Sequence, residues 1–332
     1  MSKPSISIIV PIFNELENLL ALADEIFSVM SKDVYPFEII FIDDGSRDGG
    51  GELLRELAME RPYVKVLTFR TNFGQTAAFD AGFRHATGDF IVTMDGDGQN
   101  DPHDIPAMIR ILESGWDCVA GWRQKRHDGL WLRVLPSKIA NSMIRRLMGT
   151  QLHDLGCSLK VFKKVITDEL QLYGEMHRFI GVLVEKNGAR VTEYIVNHRA
   201  RRAGESKYSL NRTFKVLLDL VTVWFLHSYR SKPIYVFGGI GGGLISVSFL
   251  MSFTVLWQKI MLDAKVHRNP LFTVAVFFSV VGIQFIVLGL LAELLIRTYF
   301  EAKDQRPYTI SESIGFEANQ RLPSQNLSAL AS

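Results

Sequence analysis

The apolar positions along this chain of 332 residues follow two regimes that change near Lys232. Before that point, short apolar runs are separated by polar segments. After it come two long stretches without a charge, residues 233–258 and 269–292. In the first regime, runs rich in Ile, Val and Phe alternate with segments whose apolar residues recur at helical spacing. The pattern predicts strands over 5–10, 37–43, 64–69 and 89–94, with helices over 15–30, 51–60 and 76–86 between them. Continuous strands rich in Ile, Val and Phe suit a parallel sheet covered on both faces. The α/β class then follows, with ligands expected at the carboxyl ends of the strands. Further along the pattern is looser. It predicts strands over 118–121, 158–162 and 190–197 and helices over 130–148 and 176–186.

Each long uncharged stretch would make a helix of about 35–39 Å, enough to cross a hydrocarbon core of ~30 Å with some tilt. The ten residues between them make an antiparallel hairpin the expected arrangement. Arg230 and Lys232 precede the pair, and Arg297, Lys303 and Arg306 follow it, so the flanks are expected on the cytoplasmic side. The connector carries Lys259, Lys265 and Arg268, so that vote is a majority. Gly238 and Gly242, like Gly239 and Gly243, stand four apart. That spacing allows close helix approach and self-association through the membrane helices, or reflects simple tolerance of glycine there. The expected organisation is a catalytic domain over 1–208, a juxtamembrane region over 209–232, two membrane helices within 233–298 (about 233–258 and 269–296), and a tail over 299–332, polar and partly disordered beyond Tyr308.

Composition narrows the function. A net charge of +2 does not point to nucleic acid. Cys118 and Cys157 are the two cysteines, too few for a disulfide framework or a zinc set. The first residues hold no apolar signal core. No P-loop, HExxH or GxSxG motif occurs.

The candidate chemistry lies where predicted strands end. Pro11 to Glu15 follows the first, Asp43-Asp44-Gly45-Ser46 the second, and Asp95-Gly96-Asp97-Gly98-Gln99 the fourth. Three acidic loops on neighbouring strands would converge on one crevice, and clustered carboxylates call for a cation. Asp95 and Asp97, one small residue apart, suit a hard ion such as Mg2+ or Mn2+ that shares its shell with a diphosphate. An ordinary Asp-Gly turn is the plain alternative. A calcium loop is excluded, because Asn100 and Pro106 stand where that pattern needs Gly and Glu. Nearer the membrane, Arg199, Arg201, Arg202, Lys207, Arg212 and Lys215 form a basic cluster suited to anionic headgroups or to an acceptor phosphate. Residues 212–226 carry an apolar helical face, for the bilayer interface or for packing on the catalytic domain.

With these motifs in view, the chain resembles the family 2 glycosyltransferases of the GT-A fold. Within them it is most similar to the polyprenyl-phosphate glycosyltransferases, a group that includes dolichol-phosphate mannose synthase, undecaprenyl-phosphate glucosyltransferases and aminoarabinose transferases. IIVPIFNELEN, FIDDGSRDG, RTNFGQTAAFDAG, GDFIVTMDGDGQNDP, HDLGCSLKVF and RRAGESKYS carry the likeness from about residue 5 to about 308. It implies a nucleotide-sugar donor, a UDP-sugar in particular, a polyprenyl-phosphate acceptor such as undecaprenyl phosphate, and metal-dependent transfer at the cytoplasmic face of the cell inner membrane. Pro11, Glu15 and Asp44 would hold the base and ribose. Asp95, Asp97 and Gln99 would surround Mg2+ or Mn2+ and the diphosphate. Asp154 would face the acceptor, and Arg201, Ser206 and Lys207 would touch phosphates, Lys207 catalytically with Asp97 and Asp154. Lys160 stands where many members carry an arginine for the acceptor phosphate, and Gly98 where an aliphatic residue is common. A processive polysaccharide synthase of the same fold is the rival reading; the chain lacks its Gln-x-x-Arg-Trp motif and further membrane stretches. A non-catalytic sensor or scaffold would not need the intact acidic loops.

Overall fold

A computed structural model describes residues 3–33, 35–124, 149–170, 172, 176–199, 234–262, 266, 269–301 and 308–316. The described chain forms two compact units, one built on a sheet and one on two long helices.

The sheet unit opens with β1 (Ile6–Ile12), α1 (Leu16–Met30), β2 (Phe37–Asp43), α2 (Gly50–Glu60), β3 (Val64–Phe69), α3 (Gln75–His85) and β4 (Phe90–Thr93). These agree with the sequence pattern to within a residue or two. Then come α4 (Ile105–Glu113), β5 (Cys118–Trp122), β6 (Lys160–Lys163), α5 (Lys164–Asp168), α6 (Ile180–Lys186) and β7 (Val191–Ile195). The order across the sheet is β7-β5-β6-β4-β1-β2-β3, closed at the far edge by β8 (Ile310–Ile314). β4, β1, β2 and β3 run parallel, as expected. The sheet as a whole is mixed, because β6 lies antiparallel to both β4 and β5. Ile6, Ile8, Ile9, Val10, Ile39, Ile40, Phe41 and Ile42 are all fully buried, which explains runs without polar alternation. β4, β1 and β2 are neighbours, so the three acidic loops leave the sheet at the carboxyl ends of adjacent strands.

Part of the tail is ordered. Residues 310–314 pair antiparallel with β3. Tyr308 stacks on Phe69 at 5.0 Å and donates to Asp80 Oδ2 at 3.2 Å, while Arg55 grips Glu312 at 2.6 Å. A polar, five-residue strand is thus held by an edge far away in sequence.

In the other unit, α7 (Ile234–Leu262) and α8 (Pro270–Glu301) pack side by side. Ser248 Oγ meets the Ala275 carbonyl at 2.6 Å, and Asn269 Nδ2 donates to Gln258 Oε1 at 2.8 Å, so the pair is antiparallel. The close approach runs through Gly241 and Gly282: a Cβ on Gly241 would sit 2.5 Å from the Gly282 carbonyl oxygen. Gly239, Gly242 and Gly243 meet nothing within 4 Å of such a Cβ, so they do not form the contact between these two helices. Segments Phe237–Leu262 and Pro270–Ala292 are each long and apolar enough to cross a membrane. Phe249 and Leu262 are each 73% exposed. A large apolar side chain left in water forgoes roughly 1.5–3 kcal/mol, so outward rows of Leu and Phe fit lipid and not a soluble core. The helix expected over 130–148 and the juxtamembrane region over 209–232 lie outside the described residues.

Candidate active site

The loops after β1 and β2 interlock. Asn14, at φ +55°, donates its N–H to Ser46 Oγ at 3.0 Å and accepts from the Arg47 N–H at 2.8 Å. Leu16 N–H donates to Asp48 Oδ2 at 2.9 Å. Pro11 lies within β1, and Glu15 precedes α1 with its carboxylate accepting from Asn18 Nδ2 at 2.7 Å. Asp43 turns back to accept the Ser46 N–H at 2.9 Å. Gly45 sits at φ +73°, and a Cβ there would lie 2.8 Å from the Thr71 carbonyl carbon. Only glycine suits both demands, and the loop after β2 therefore rests on the one after β3. Buried Asp44 accepts there from Phe73 N–H at 2.6 Å and Gly74 N–H at 2.9 Å. Its carboxyl is raised, by burial first and the charge of Asp43 last, with the two N–H groups opposing.

The loop after β4 lies against the end of β1: a Cβ on Gly96 would sit 3.0 Å from the Pro11 carbonyl oxygen. Asp95 receives Gln75 Nε2 at 2.6 Å on Oδ1, and its own N–H donates to Asn100 Oδ1 at 2.9 Å. That Asn100 oxygen also takes the Ser158 hydroxyl at 2.8 Å. Asp97 is buried and accepts the Gln99 N–H at 3.1 Å. Gly98 has φ +72°, a left-handed turn that explains glycine where an aliphatic residue is common. Asp95 keeps a strip of accessible surface, yet protein crowds it. Burial and then the Asp97 charge push its carboxyl up; Ser158, Arg123 and Gln75 pull the other way. A buried carboxylate raised further by an acidic neighbour marks a place where negative charge is undercompensated. Oxygen donors of this kind fit a hard divalent ion.

Arg123, just beyond β5, was not singled out from sequence. Its Nε donates to Asp154 Oδ2 at 2.7 Å and a terminal nitrogen donates to Oδ1 at 3.0 Å. Asp154 is buried, and its N–H donates to Glu193 at 3.2 Å. Burial opposes the charge on Arg123, but Asp154 and more weakly Asp95 hold it protonated. Lys160 opens β6, buried, with its ammonium on the Cys157 carbonyl; burial lowers its pKa. An amine so enclosed serves the interior packing of this structure and offers no exposed phosphate-binding face. Arg201, Ser206 and Lys207 lie outside the described residues.

Among the described residues, one other group with acidic side chains stands close enough for a shared ligand. Glu25, Asp101 and His103 bring ligand atoms within 4.8 Å of one another. Arg199 already fills that place, 2.6 Å from Glu25 and 2.5 Å from Asp101. Arg199 also donates its N–H to the Gln99 carbonyl at 3.0 Å, stapling β7's exit to the loop after β4.

Comparison with known proteins gives this geometry its family. The profile described as "Glycosyl transferase family 2" matches residues 7–171. A dodecaprenyl-phosphate galacturonate synthase from Rhizobium johnstonii is 39% identical over 311 residues, 92% of each chain. The chain belongs to glycosyl transferase family 2. An undecaprenyl-phosphate 4-deoxy-4-formamido-L-arabinose transferase from Serratia proteamaculans is 32% identical over 317 residues, 95% of each. Among solved structures, mannosyl-3-phosphoglycerate synthase from Rubrobacter xylanophilus superposes with a TM-score of 0.54 at 16% identity, covering 68% of this chain and 75% of that one. Glucosyl-3-phosphoglycerate synthase from Mycobacterium tuberculosis, solved with Mn2+ and uridine-diphosphate-glucose, gives 0.52 at 18% identity over 68% and 79%. These two share the GT-A fold with this glycosyltransferase.

Proposed function

We propose that this glycosyltransferase moves a single sugar from a nucleotide-sugar, a UDP-sugar in particular, to the phosphate of a polyprenyl carrier such as undecaprenyl phosphate. The reaction takes place at the cytoplasmic face of the cell inner membrane and yields a lipid-linked sugar for the cell envelope. One observation carries the reading. Two relatives whose named activities differ in the sugar share a polyprenyl-phosphate acceptor, and each aligns over more than nine-tenths of this chain, the two apolar helices included.

Within this reading Pro11, Glu15 and Asp44 take the nucleoside, and Asp95, Asp97 and Gln99 hold Mg2+ or Mn2+. When bound, that ion supplies positive charge to the departing nucleoside diphosphate. The residues do the rest by orientation and charge. An acceptor phosphate oxygen bonds to the anomeric carbon as the bond to the diphosphate oxygen breaks, with inversion. A phosphate monoester has its second pKa at about 6, so the nucleophile is already charged at neutral pH and needs no strong base. Asp154, with both oxygens on Arg123, acts by orienting that guanidinium. Arg201, Ser206 and Lys207 complete the phosphate contacts in this scheme.

The test is a screen of UDP- and GDP-sugars against the purified full chain in detergent, with undecaprenyl phosphate as acceptor. Lipid-linked product is read by mass. A mass increase of one sugar residue on the lipid is expected with at least one donor. A polymer, or release of nucleotide that is independent of lipid, would overturn the proposal.

A further inference from the structure

Three consecutive residues at the start of α3, Phe73 to Gln75, touch both acidic loops. Phe73 and Gly74 give their backbone N–H groups to the two oxygens of Asp44, and Gln75 gives its side-chain amide to Asp95 Oδ1 at 2.6 Å. Gln75 is the first residue of α3, so a regular helix sets where its side chain starts. That helix is itself pinned. Thr76 Oγ1 meets His177 Nδ1 at 2.8 Å, and Asp80 accepts from Arg84 at 2.7 Å and from Tyr308 at 3.2 Å. The amide is therefore delivered to Asp95 from a fixed base. On the backbone side, Asn100 holds the Asp95 N–H. An acceptor on its main-chain N–H and a donor on its carboxylate leave Asp95 little rotational freedom. An amide suits this task for an electrostatic reason. It orients a carboxylate by a hydrogen bond without bringing the positive charge of Lys or Arg, which would compete with a cation for the same oxygens.

We propose that Gln75 is a positioning residue for the divalent cation, holding Asp95 in its ligating orientation, and that residues 73–75 tie this cradle to Asp44. The inference rests on the reading above that Asp95 and Asp97 are the cation ligands. Three variants of the full chain in detergent micelles, stripped with EDTA, test it. They are Gln75→Met, which keeps the length and removes the donor, Gln75→Asn, which keeps the amide and shortens its reach, and Asp95→Asn. Mn2+ affinity is measured without any donor by the electron paramagnetic resonance of free Mn2+, with the thermal midpoint read in parallel.

Gln75→Met should bind Mn2+ about tenfold more weakly or worse, the scale expected for losing a hydrogen bond to a charged group, with its midpoint close to the parent's. Gln75→Asn should fall between Gln75→Met and the parent. In transfer assays the Mn2+ concentration for half-activation should rise while the rate at saturating Mn2+ largely recovers. A role in folding alone would lower the midpoint and the rate and leave the Mn2+ affinity of the folded fraction unchanged. If Asp95→Asn loses Mn2+ and both Gln75 variants bind it as the parent does, the positioning role is overturned and the ligand assignment survives. If Asp95→Asn binds as the parent does, the ligand assignment itself falls.

Discussion

Two acidic clusters flank the loop after β4, and they are built on opposite principles. Glu25, Asp101 and His103 gather around the Arg199 guanidinium, a cation supplied by the chain. Asp101 is held low, to about 2; Asn197, His103 and Arg199 outweigh its burial. Asp95 and Asp97 also lie close enough to interact, yet Asp95 is held high, by burial first and by Asp97 second. Its neighbouring guanidinium, Arg123, is spent on Asp154. Proximity of carboxylates therefore says little about a ligand site. The direction of the displacement says more here: Asp101 has found its partners within the fold, whereas Asp95 is held high by burial and by the Asp97 charge, which a bound cation would offset.

The largest expected effect falls on activity. Asp95→Asn or Asp97→Asn removes one of the two charges proposed to hold the ion, and transfer should drop by about 10²–10³-fold, the usual scale for losing one preorganised electrostatic contact. Asp101→Asn should leave transfer within a few-fold of the parent. Initial rates of lipid-linked product at saturating Mn2+ measure both, and equal losses in the two clusters would erase the distinction.

Stability should respond with opposite signs. In EDTA, Asp95→Asn relieves the buried repulsion while its amide oxygen can still accept from Gln75, so the thermal midpoint should rise. Asp101→Asn removes a paired charge and should lower it. Arg199→Ala should lower it further, by about 2 kcal/mol in unfolding free energy, below the 3–5 kcal/mol typical of a fully buried pair because the arginine is 23% exposed. Chemical denaturation followed by tryptophan fluorescence would give these differences, and a metal-free Asp95→Asn less stable than the parent would sink the repulsion argument.

The same contrast explains what was legible in the sequence. Three acidic loops at strand ends could be read because β1, β2 and β4 are rich in Ile, Val and Phe and their ends are abrupt. The partners that decide how each cluster behaves could not. Arg199 meets Glu25 across 174 positions, and Arg123 meets Asp154 across 31. Gln75 lay inside a quoted motif, but nothing local says that its amide reaches Asp95. α4 carries Ile105, Met108, Ile109 and Leu112 at helical spacing, a signal legible in the sequence itself. β8 gave no such signal. Its Ile-Ser-Glu-Ser-Ile is short and polar, and it becomes a strand through an edge some 240 residues earlier in the chain.

The smallest effect sharpens the comparison at a third place, far from any proposed ligand. Asp117 receives Arg190 Nε at 3.1 Å and Lys163 Nζ at 2.8 Å, and these hydrogen bonds hold its carboxyl well below the usual range. Because the folded pKa is depressed, its contribution to stability is present above the unfolded value of about 3.9. That contribution is lost as pH falls through the lower folded value. Asp117→Asn should therefore lower stability modestly at neutral pH and flatten the acid limb of the curve below about pH 4. Arg190 is exposed, so the change should be small, as for most surface pairs. Asp95→Asn should act in the reverse sense in EDTA. A high carboxyl destabilises the fold once it ionises, and the variant's advantage should shrink as pH falls and Asp95 of the parent takes up its proton. Denaturation midpoints of both variants between pH 3 and 7 would show two curves approaching the parent from opposite sides, and curves on the same side would mean that Asp95 is as well compensated as Asp117.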